Sequence, residues 1–247
     1  MSNKKWWLIG CAVALVGGLT TFFIIRSRRK SGGKSMQKSS SKLPVASKYS
    51  KFGNDTLKVV ENLTPLAFGT YNWAGTSGMP IDIEFKDGEI IFQKTSDGST
   101  YCTGFTFSVF FVTALNRGLL DDWTNDDIEK LHKVWNQGEP TAKPKLCVDA
   151  ISKPINNHKP LGKEISLNNA LEGDYCQIWR TTGTGHSVIF LERVMKNNKV
   201  VGIKYISSNA SVNPKTGRTG VGEKIEYFSD SGGKVIRENT YYARMNK

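Results

Sequence analysis

An uncharged run of 20 residues at positions 6–25, WWLIGCAVALVGGLTTFFII, most constrains how this chain can fold. A helix of that length spans the hydrocarbon core of a bilayer. A cleaved signal peptide has a shorter apolar core and a cleavage site of small residues, whereas RSRRK follows here. The charged residues beside the run are Lys4 and Lys5 before it and Arg26, Arg28, Arg29 and Lys30 after it. We therefore expect one uncleaved N-terminal transmembrane helix, with residues 1–30 as a membrane anchor.

A second segment, residues 31–51, is rich in Ser, Gly and Lys and has almost nothing to bury. This composition predicts a flexible basic linker. The linker either contacts anionic lipid or acts as a solvated spacer. A domain then covers residues 52–247, which is enough chain for a sizeable core.

The basic charge of the chain is concentrated in this N-terminal part. The whole chain has a formal charge of +12, but residues 1–51 hold 11 of the 34 Lys and Arg residues and none of the 22 acidic ones. Residues 52–247 therefore carry 23 basic and 22 acidic side chains, a net charge of +1. A nucleic-acid-binding domain is strongly basic, so we expect no nucleic-acid partner.

The pattern after residue 52 predicts an α+β domain. Asp87-Gly88 within IDIEFKDGEIIFQ indicates a β-hairpin. A buried helix is expected over Cys102–Arg117 and an amphipathic one from the cap Thr124 to Gly138. Residues 139–172 look like a loop-rich connection with a short helix near 147–151. The later segments alternate like strands: YCQIW, HSVIFLERV, KVVGIKYIS, GEKIEYF and 241–245.

The four cysteines do not follow a metal-binding pattern. They include no Cys-x-x-Cys pair and no His at ligand spacing, so we expect neither a metal site nor a cofactor. Cys11 lies inside the apolar run, which leaves Cys102, Cys147 and Cys176 in the domain. An odd number cannot pair completely, so at least one thiol is expected to be free.

Cys102 and His186 are the candidate nucleophile and base. A Cys in the first turn of a helix has its thiolate stabilised by the helix dipole, which predicts a lowered pKa, and Ser99 and Thr100 are placed to cap that helix. His186, at the start of a strand, can accept the thiol proton if the sheet packs on the helix. A third group usually orients the base. Alternation along KYISSN places Ser207 and Asn209 on one face of the next strand.

Each of these residues also has a purely structural interpretation. A lone Cys in an apolar helix is commonly a core residue, and His186 among glycines suits a loop. His132 and His158, outside any strand, are expected at the surface. Cys147 and Cys176 lack a polar setting and are expected to be structural.

Three segments in order, YCTGF, EGDYCQIWR and GHSVIFL, resemble the NlpC-type and CHAP-type papain-fold cysteine peptidases and amidases. The likeness covers roughly residues 95–210. It implies a papain-like fold with a helix packed on an antiparallel sheet, Cys102 as the nucleophile, His186 as the base and Asn209 as the orienting residue, with Ser207 as the alternative.

The resemblance also implies hydrolysis of an amide bond through a thioacyl intermediate, with peptidoglycan stem peptides as substrate. That substrate places the domain outside the cytoplasm, although the positive cluster after the apolar run favours the cytoplasmic side. Two alternatives stay open. One is a non-catalytic, membrane-tethered binding module of the same fold, and the other is an acyltransferase acting on a lipid or amine.

Overall fold

The computed structural model describes residues 55–74, 76–138, 143–213 and 217–247. The described helices are α1 (Thr56–Leu63), α2 (Cys102–Asn116), α3 (Asn125–Gln137) and α4 (Cys147–Ser152). The strands are β1 (Ile83–Glu84), β2 (Ile90–Phe92), β3 (Gly162–Ile165), β4 (Tyr175–Trp179), β5 (Gly185–Lys196), β6 (Lys199–Asn213), β7 (Arg218–Tyr227) and β8 (Tyr241–Met245). The predicted α+β class is confirmed, as are the predicted hairpin β1–β2 and helices α2, α3 and α4.

A six-stranded antiparallel sheet with the order β3-β8-β4-β5-β6-β7 forms the second half of the domain. Its strands alternate between two buried surfaces. Tyr175 and Ile189 face the helices, whereas Val188 and Tyr205 belong to a second apolar cluster. This alternation follows from the period of two in a strand, and it places an apolar layer on each face of the sheet.

Helix α2 is buried on nearly all sides. Phe105, Phe107, Phe110 and Phe111 are all inaccessible to solvent, as expected for a segment that is apolar all round. Its buried hydroxyls are satisfied locally, because Thr106 donates to the Cys102 carbonyl at 2.8 Å. The first turn of α2 is therefore held by close packing and by the hydrogen bond from Thr106.

Helix α3 begins with the predicted cap. The Asp127 amide donates to Thr124 Oγ1 at 3.2 Å, and the Thr124 amide donates to Asp127 Oδ2 at 2.9 Å. This reciprocal pair is a capping box.

Two elements were not predicted. Helix α1 lies in a stretch without a clear pattern, and β3 lies in the segment expected to be a loop. β3 forms by pairing with β8, from Gly162–Met245 to Ile165–Tyr242.

In the described residues, no helix has both the length and the apolar character needed to cross a membrane. The run at positions 6–25 lies outside the described residues. The bounds of the anchor, the linker and the domain therefore stay predictions.

Candidate active site

Cys102 is the first residue of α2, and Tyr101 before it is extended, with φ −132° and ψ 170°. The expected capping by Ser99 and Thr100 is wrong. Thr100 instead donates its hydroxyl hydrogen to Ser208 Oγ at 2.8 Å, and Ser99 Oγ has no partner. No side chain caps the helix, and the backbone amides of its first turn face the Cys102 thiol and act to lower its pKa.

Close backbone packing fixes this first turn. A Cβ on Gly104 would lie 2.5 Å from the carbonyl carbon of Gly78 and 2.6 Å from the carbonyl oxygen of Ser77. Gly78 itself has φ +63° and lies against the Tyr101 ring. The segment 77–78 can approach the first turn of α2 this closely only because Gly78 and Gly104 lack side chains.

Strands β5 and β6 separate near Cys102, and this gap between them is called the opening below. Pairing between β5 and β6 runs from Lys196–Lys199 to Ile189–Ile206 and stops there, although β5 extends back to Gly185. The backbone of Ser187, in the part of β5 that pairs with β4 but not with β6, lies beside the Cys102 thiol. The thiol thus lies at the opening, against the residue that follows His186.

His186 and Asn209 are brought together across the same opening. His186 Nε2 lies 3.1 Å from Asn209 Oδ1. Asn209 Nδ2 donates to the carbonyl oxygens of Ser207 at 2.8 Å and Gly222 at 3.1 Å, so the amide oxygen faces the imidazole. Because that oxygen only accepts, this hydrogen-bond assignment places the neutral imidazole proton on Nε2 and leaves Nδ1 as the basic nitrogen.

The alternative third residue, Ser207, does not face the imidazole. Its hydroxyl donates to the Ser187 carbonyl at 2.7 Å. Ser208 projects to the helix side, where it meets Thr100. Of the three consecutive polar residues 207–209, Asn209 is the one hydrogen-bonded to His186.

The imidazole and the thiol approach the opening from different sides of the sheet. The His186 ring lies edge-on to Tyr205, with centroids 5.7 Å apart, on the face that carries Val188. Helix α2 covers the opposite face, which carries Ile189. The gap between β5 and β6 is therefore the place where the two groups can meet.

Tyr71 is a site residue that the sequence analysis missed. Its hydroxyl lies beside the Cys102 thiol, and its backbone amide donates to Thr219 Oγ1 at 3.1 Å. Burial raises the Tyr71 pKa to about 12, so the hydroxyl keeps its proton at neutral pH. Trp73, two residues further on, is 73% exposed and does not have a packing role. Nothing in the local sequence TYNWAG shows that this tyrosine lies beside a thiol 31 positions further along the chain.

The expected lowering of the Cys102 pKa is wrong. Burial raises the pKa of the thiol, and it outweighs the backbone hydrogen bonds from Ser187 and Thr103, which act in the other direction. Burial also lowers the pKa of His186 to about 3, and the positive charge of Arg180 contributes to that lowering. The resting site therefore holds a neutral thiol and a neutral imidazole.

Cys147 and Cys176 are more deeply buried than Cys102, and the Ser187 hydroxyl lies beside the Cys147 thiol. All three described cysteines are free, but Cys147 and Cys176 are fully buried, whereas Cys102 is 9% exposed. Burial raises the pKa of Cys147 to about 12 and that of Cys176 well above its usual range. The described residues contain no cluster of His, Cys, Asp and Glu that could hold a metal ion.

The expected surface positions of the other two histidines are wrong. His132 packs between Phe92 and Phe107, with ring centroids 4.2 and 4.7 Å away. His158 stacks on Trp123 at 4.5 Å, and its Nε2 lies 3.1 Å from Asp127 Oδ2. His132 is thus held by aromatic packing, whereas the His158 ring also lies between the carboxylates of Asp122 and Asp127.

No family model, curated protein or solved structure matches the chain.

Proposed function

We propose that this protein is a membrane-anchored cysteine peptidase or amidase with a papain-like catalytic domain. The observation that carries the proposal is the His186–Asn209 hydrogen bond beside a helix-start cysteine whose thiol meets the next residue, Ser187. A nucleophile, a base and a group that orients the base are the parts that amide hydrolysis through a thioester requires.

The reaction begins with a proton transfer. His186 Nδ1 takes the thiol proton as the Cys102 sulfur forms a bond to the amide carbonyl carbon. The C–N bond then breaks, the amine leaves with the proton from His186, and a thioacyl enzyme remains. A water molecule gives a proton to His186 and attacks the thioester, which releases the acid and restores the thiol.

Asn209 supports the charged form of the base. Its Oδ1 accepts the Nε2 proton in both the neutral and the protonated imidazole, so the ring keeps one orientation through the cycle. Because burial favours the neutral pair, the proton moves only when a substrate carbonyl receives the negative charge.

Two donors are positioned for that negative charge. The Cys102 backbone amide belongs to the uncapped start of α2, and the Tyr71 hydroxyl lies beside the thiol. In this proposal they form the oxyanion hole for the tetrahedral intermediate.

A groove extends the site along one side. It has a volume of about 530 Å³ and is lined by residues 76–77 and 91–96, among them Ser77, Gln93 and Lys94. Ser77 contacts the first turn of α2 at Gly104, so the groove begins beside the nucleophile. Its lining combines the apolar Ile91 and Phe92 with polar side chains, which suits an extended peptide.

The resemblance to NlpC-type and CHAP-type enzymes favours peptidoglycan stem peptides as the substrate, with the domain outside the cytoplasm. The decisive experiment incubates the detergent-solubilised full-length chain with purified peptidoglycan and identifies the products by mass spectrometry. New amine and carboxyl ends, lost in Cys102→Ala, are expected. Transfer of the acyl group to an added amine or lipid amine supports the acyltransferase instead. Unchanged peptidoglycan that the chain nevertheless binds supports the binding module.

The approach of Cys102 to His186 has its own test. The bifunctional reagent 1,3-dibromoacetone alkylates a thiol and then an adjacent imidazole, which joins the two side chains. We expect a Cys102–His186 cross-link by peptide mapping. Modification of Cys102 with no cross-link to His186 would contradict the proposed pair.

A further inference from the structure

Arg180 forms a buried ion pair beside the candidate site. It lies in the turn between β4 and β5, where its amide donates to the Thr184 carbonyl at 3.0 Å. Its guanidinium donates from Nε to Glu226 Oε2 at 2.8 Å and from Nη2 to Glu226 Oε1 at 2.6 Å. The Arg180 and Glu226 side chains are only 16% and 11% exposed. This two-pronged geometry fixes the guanidinium in the plane of the carboxylate.

The same carboxylate holds Tyr205. The Tyr205 hydroxyl donates to Glu226 Oε1 at 2.6 Å, and Lys224 Nζ lies 3.1 Å from that oxygen. Tyr205 is fully buried, and its ring is the one that lies edge-on to His186. Glu226 thus holds both the Arg180 guanidinium and the Tyr205 ring that packs against His186.

The charged and polar groups around His186 come from three parts of the sheet. Arg180 follows β4, Glu226 and Lys224 lie on β7, and the uncharged Tyr205 and Asn209 lie on β6. The Arg180 charge lowers the pKa of Cys102, Tyr71 and His186 alike, so it favours the deprotonated form of each. Glu226 acts on His186 in the opposite direction.

A buried ion pair contributes little to stability, because the desolvation of both charges offsets their attraction. The pair lies next to Tyr205, which contacts His186, and this position indicates a functional role.

We propose that Arg180 and Glu226 are positioning residues for the Cys102–His186 pair: Glu226 fixes the guanidinium so that its charge stabilises a thiolate at Cys102, and it fixes Tyr205 so that the ring orients His186. This inference rests on the proposed function, because positioning the Cys102–His186 pair matters only if that pair catalyses a reaction. Its effect on the thiol can be measured without any substrate.

The test is the pH dependence of Cys102 alkylation by iodoacetamide in the full-length chain, read by peptide mapping. Arg180→Gln removes the charge, so less thiolate is present and we expect alkylation near neutral pH to slow by about threefold or more, equivalent to half a pKa unit. Arg180→Lys keeps the charge and should restore a rate within about twofold of wild type. Glu226→Asp keeps the negative charge but withdraws the carboxylate by one methylene, so the two-pronged contact with Arg180 is lost and alkylation should slow in the same direction as in Arg180→Gln.

Arg237 provides a matched control, because its ion pair with Asp230 is more exposed, with side chains 35% and 52% accessible. Arg237 makes the same two-pronged contact with Asp230, from Nε at 2.6 Å and from Nη2 at 3.0 Å. Arg237→Gln should leave the alkylation profile of Cys102 unchanged.

Slower alkylation in both Arg180→Gln and Glu226→Asp, with a wild-type rate in Arg180→Lys, supports the proposal, because a mere loss of packing would expose the thiol and speed its alkylation. An unchanged or faster rate in Arg180→Gln or in Glu226→Asp overturns it. If circular dichroism shows that Arg180→Gln does not fold, Glu226→Asp and Arg180→Lys decide: slower alkylation in the former with a wild-type rate in the latter supports the proposal, and any other pattern overturns it. Failure of the proposed function is distinct, since wild type would then hydrolyse no amide while the alkylation shifts persist.

Discussion

The amide oxygen of Asn209 lies 3.1 Å from His186 Nε2 because the amide nitrogen is already bound to two backbone carbonyls. Asn209 therefore cannot rotate its nitrogen toward the imidazole without breaking two hydrogen bonds. This arrangement selects one tautomer of His186 and one basic nitrogen.

Loss of the base should abolish turnover, whereas loss of its orienting group should only reduce it. We expect His186→Ala to lower kcat by about 10³-fold or more. Asn209→Ala leaves an imidazole that still adopts the productive tautomer part of the time, so we expect a loss of about 10-fold to 100-fold. Turnover of the amide substrate, with circular dichroism to check folding, gives the comparison. Wild-type turnover in His186→Ala would disprove the mechanism, and a larger loss in Ser207→Ala than in Asn209→Ala would change only the third residue.

The three described thiols should react in a definite order. Cys102 is 9% exposed, whereas Cys147 and Cys176 are inaccessible and have raised pKa values. Iodoacetamide at neutral pH should therefore label Cys102 first, as followed by peptide mapping of the folded protein. Faster labelling of Cys147 or Cys176 would show that the nucleophile has been assigned to the wrong residue.

Membrane attachment should depend on residues 1–30. The full-length chain should stay in the membrane pellet during carbonate extraction, and residues 45–247 should be soluble, because the run at positions 6–25 has the length of a bilayer span. Release of the full-length chain by carbonate is the result that would remove the anchor.

Local patterns were sufficient for most of the fold. The apolar run of α2, the Thr124–Asp127 capping box of α3 and the Asp87-Gly88 hairpin are all determined by residues close together in sequence. The strand β3 was missed for the converse reason. Its sequence, GKEI, has no apolar alternation, and it becomes a strand by pairing with β8, about 80 positions away.

The candidate site divides in the same way. Alternation within β6 was enough to separate Asn209 from Ser208, because side-chain direction in a strand is local. Tyr71 and Arg180 could not be found from a pattern, since tertiary contacts alone bring them to Cys102 and Glu226. The pKa of Cys102 was predicted with the wrong sign because the helix start is visible in the sequence, whereas the depth of burial is not.

The Tyr71 hydroxyl should contribute to the chemical step. Tyr71→Phe keeps the ring and removes only the donor proposed for the oxyanion, so we expect kcat to fall by about 100-fold with little change in KM. Tyr227→Phe is a suitable control, because Tyr227 is 47% exposed on β7. A Tyr71→Phe enzyme with wild-type kcat would limit the oxyanion hole to the backbone.

Stability should fall as the pH decreases from about 6.5 to 4, because two histidines are buried in the neutral form. Burial lowers the pKa of His132 to about 4 and that of His186 to about 3 from an ordinary value of 6.5. In this window the unfolded chain binds protons that the folded chain does not, so each histidine reduces the free energy of unfolding by up to about 1.4 kcal/mol per pH unit as the pH falls. Urea unfolding of wild type and His132→Gln at several pH values measures the slope. His132→Gln should have the shallower dependence, and Lys133→Gln, an exposed neighbour, should match wild type. Parallel curves for wild type and His132→Gln would show that His132 does not stay neutral in the folded protein.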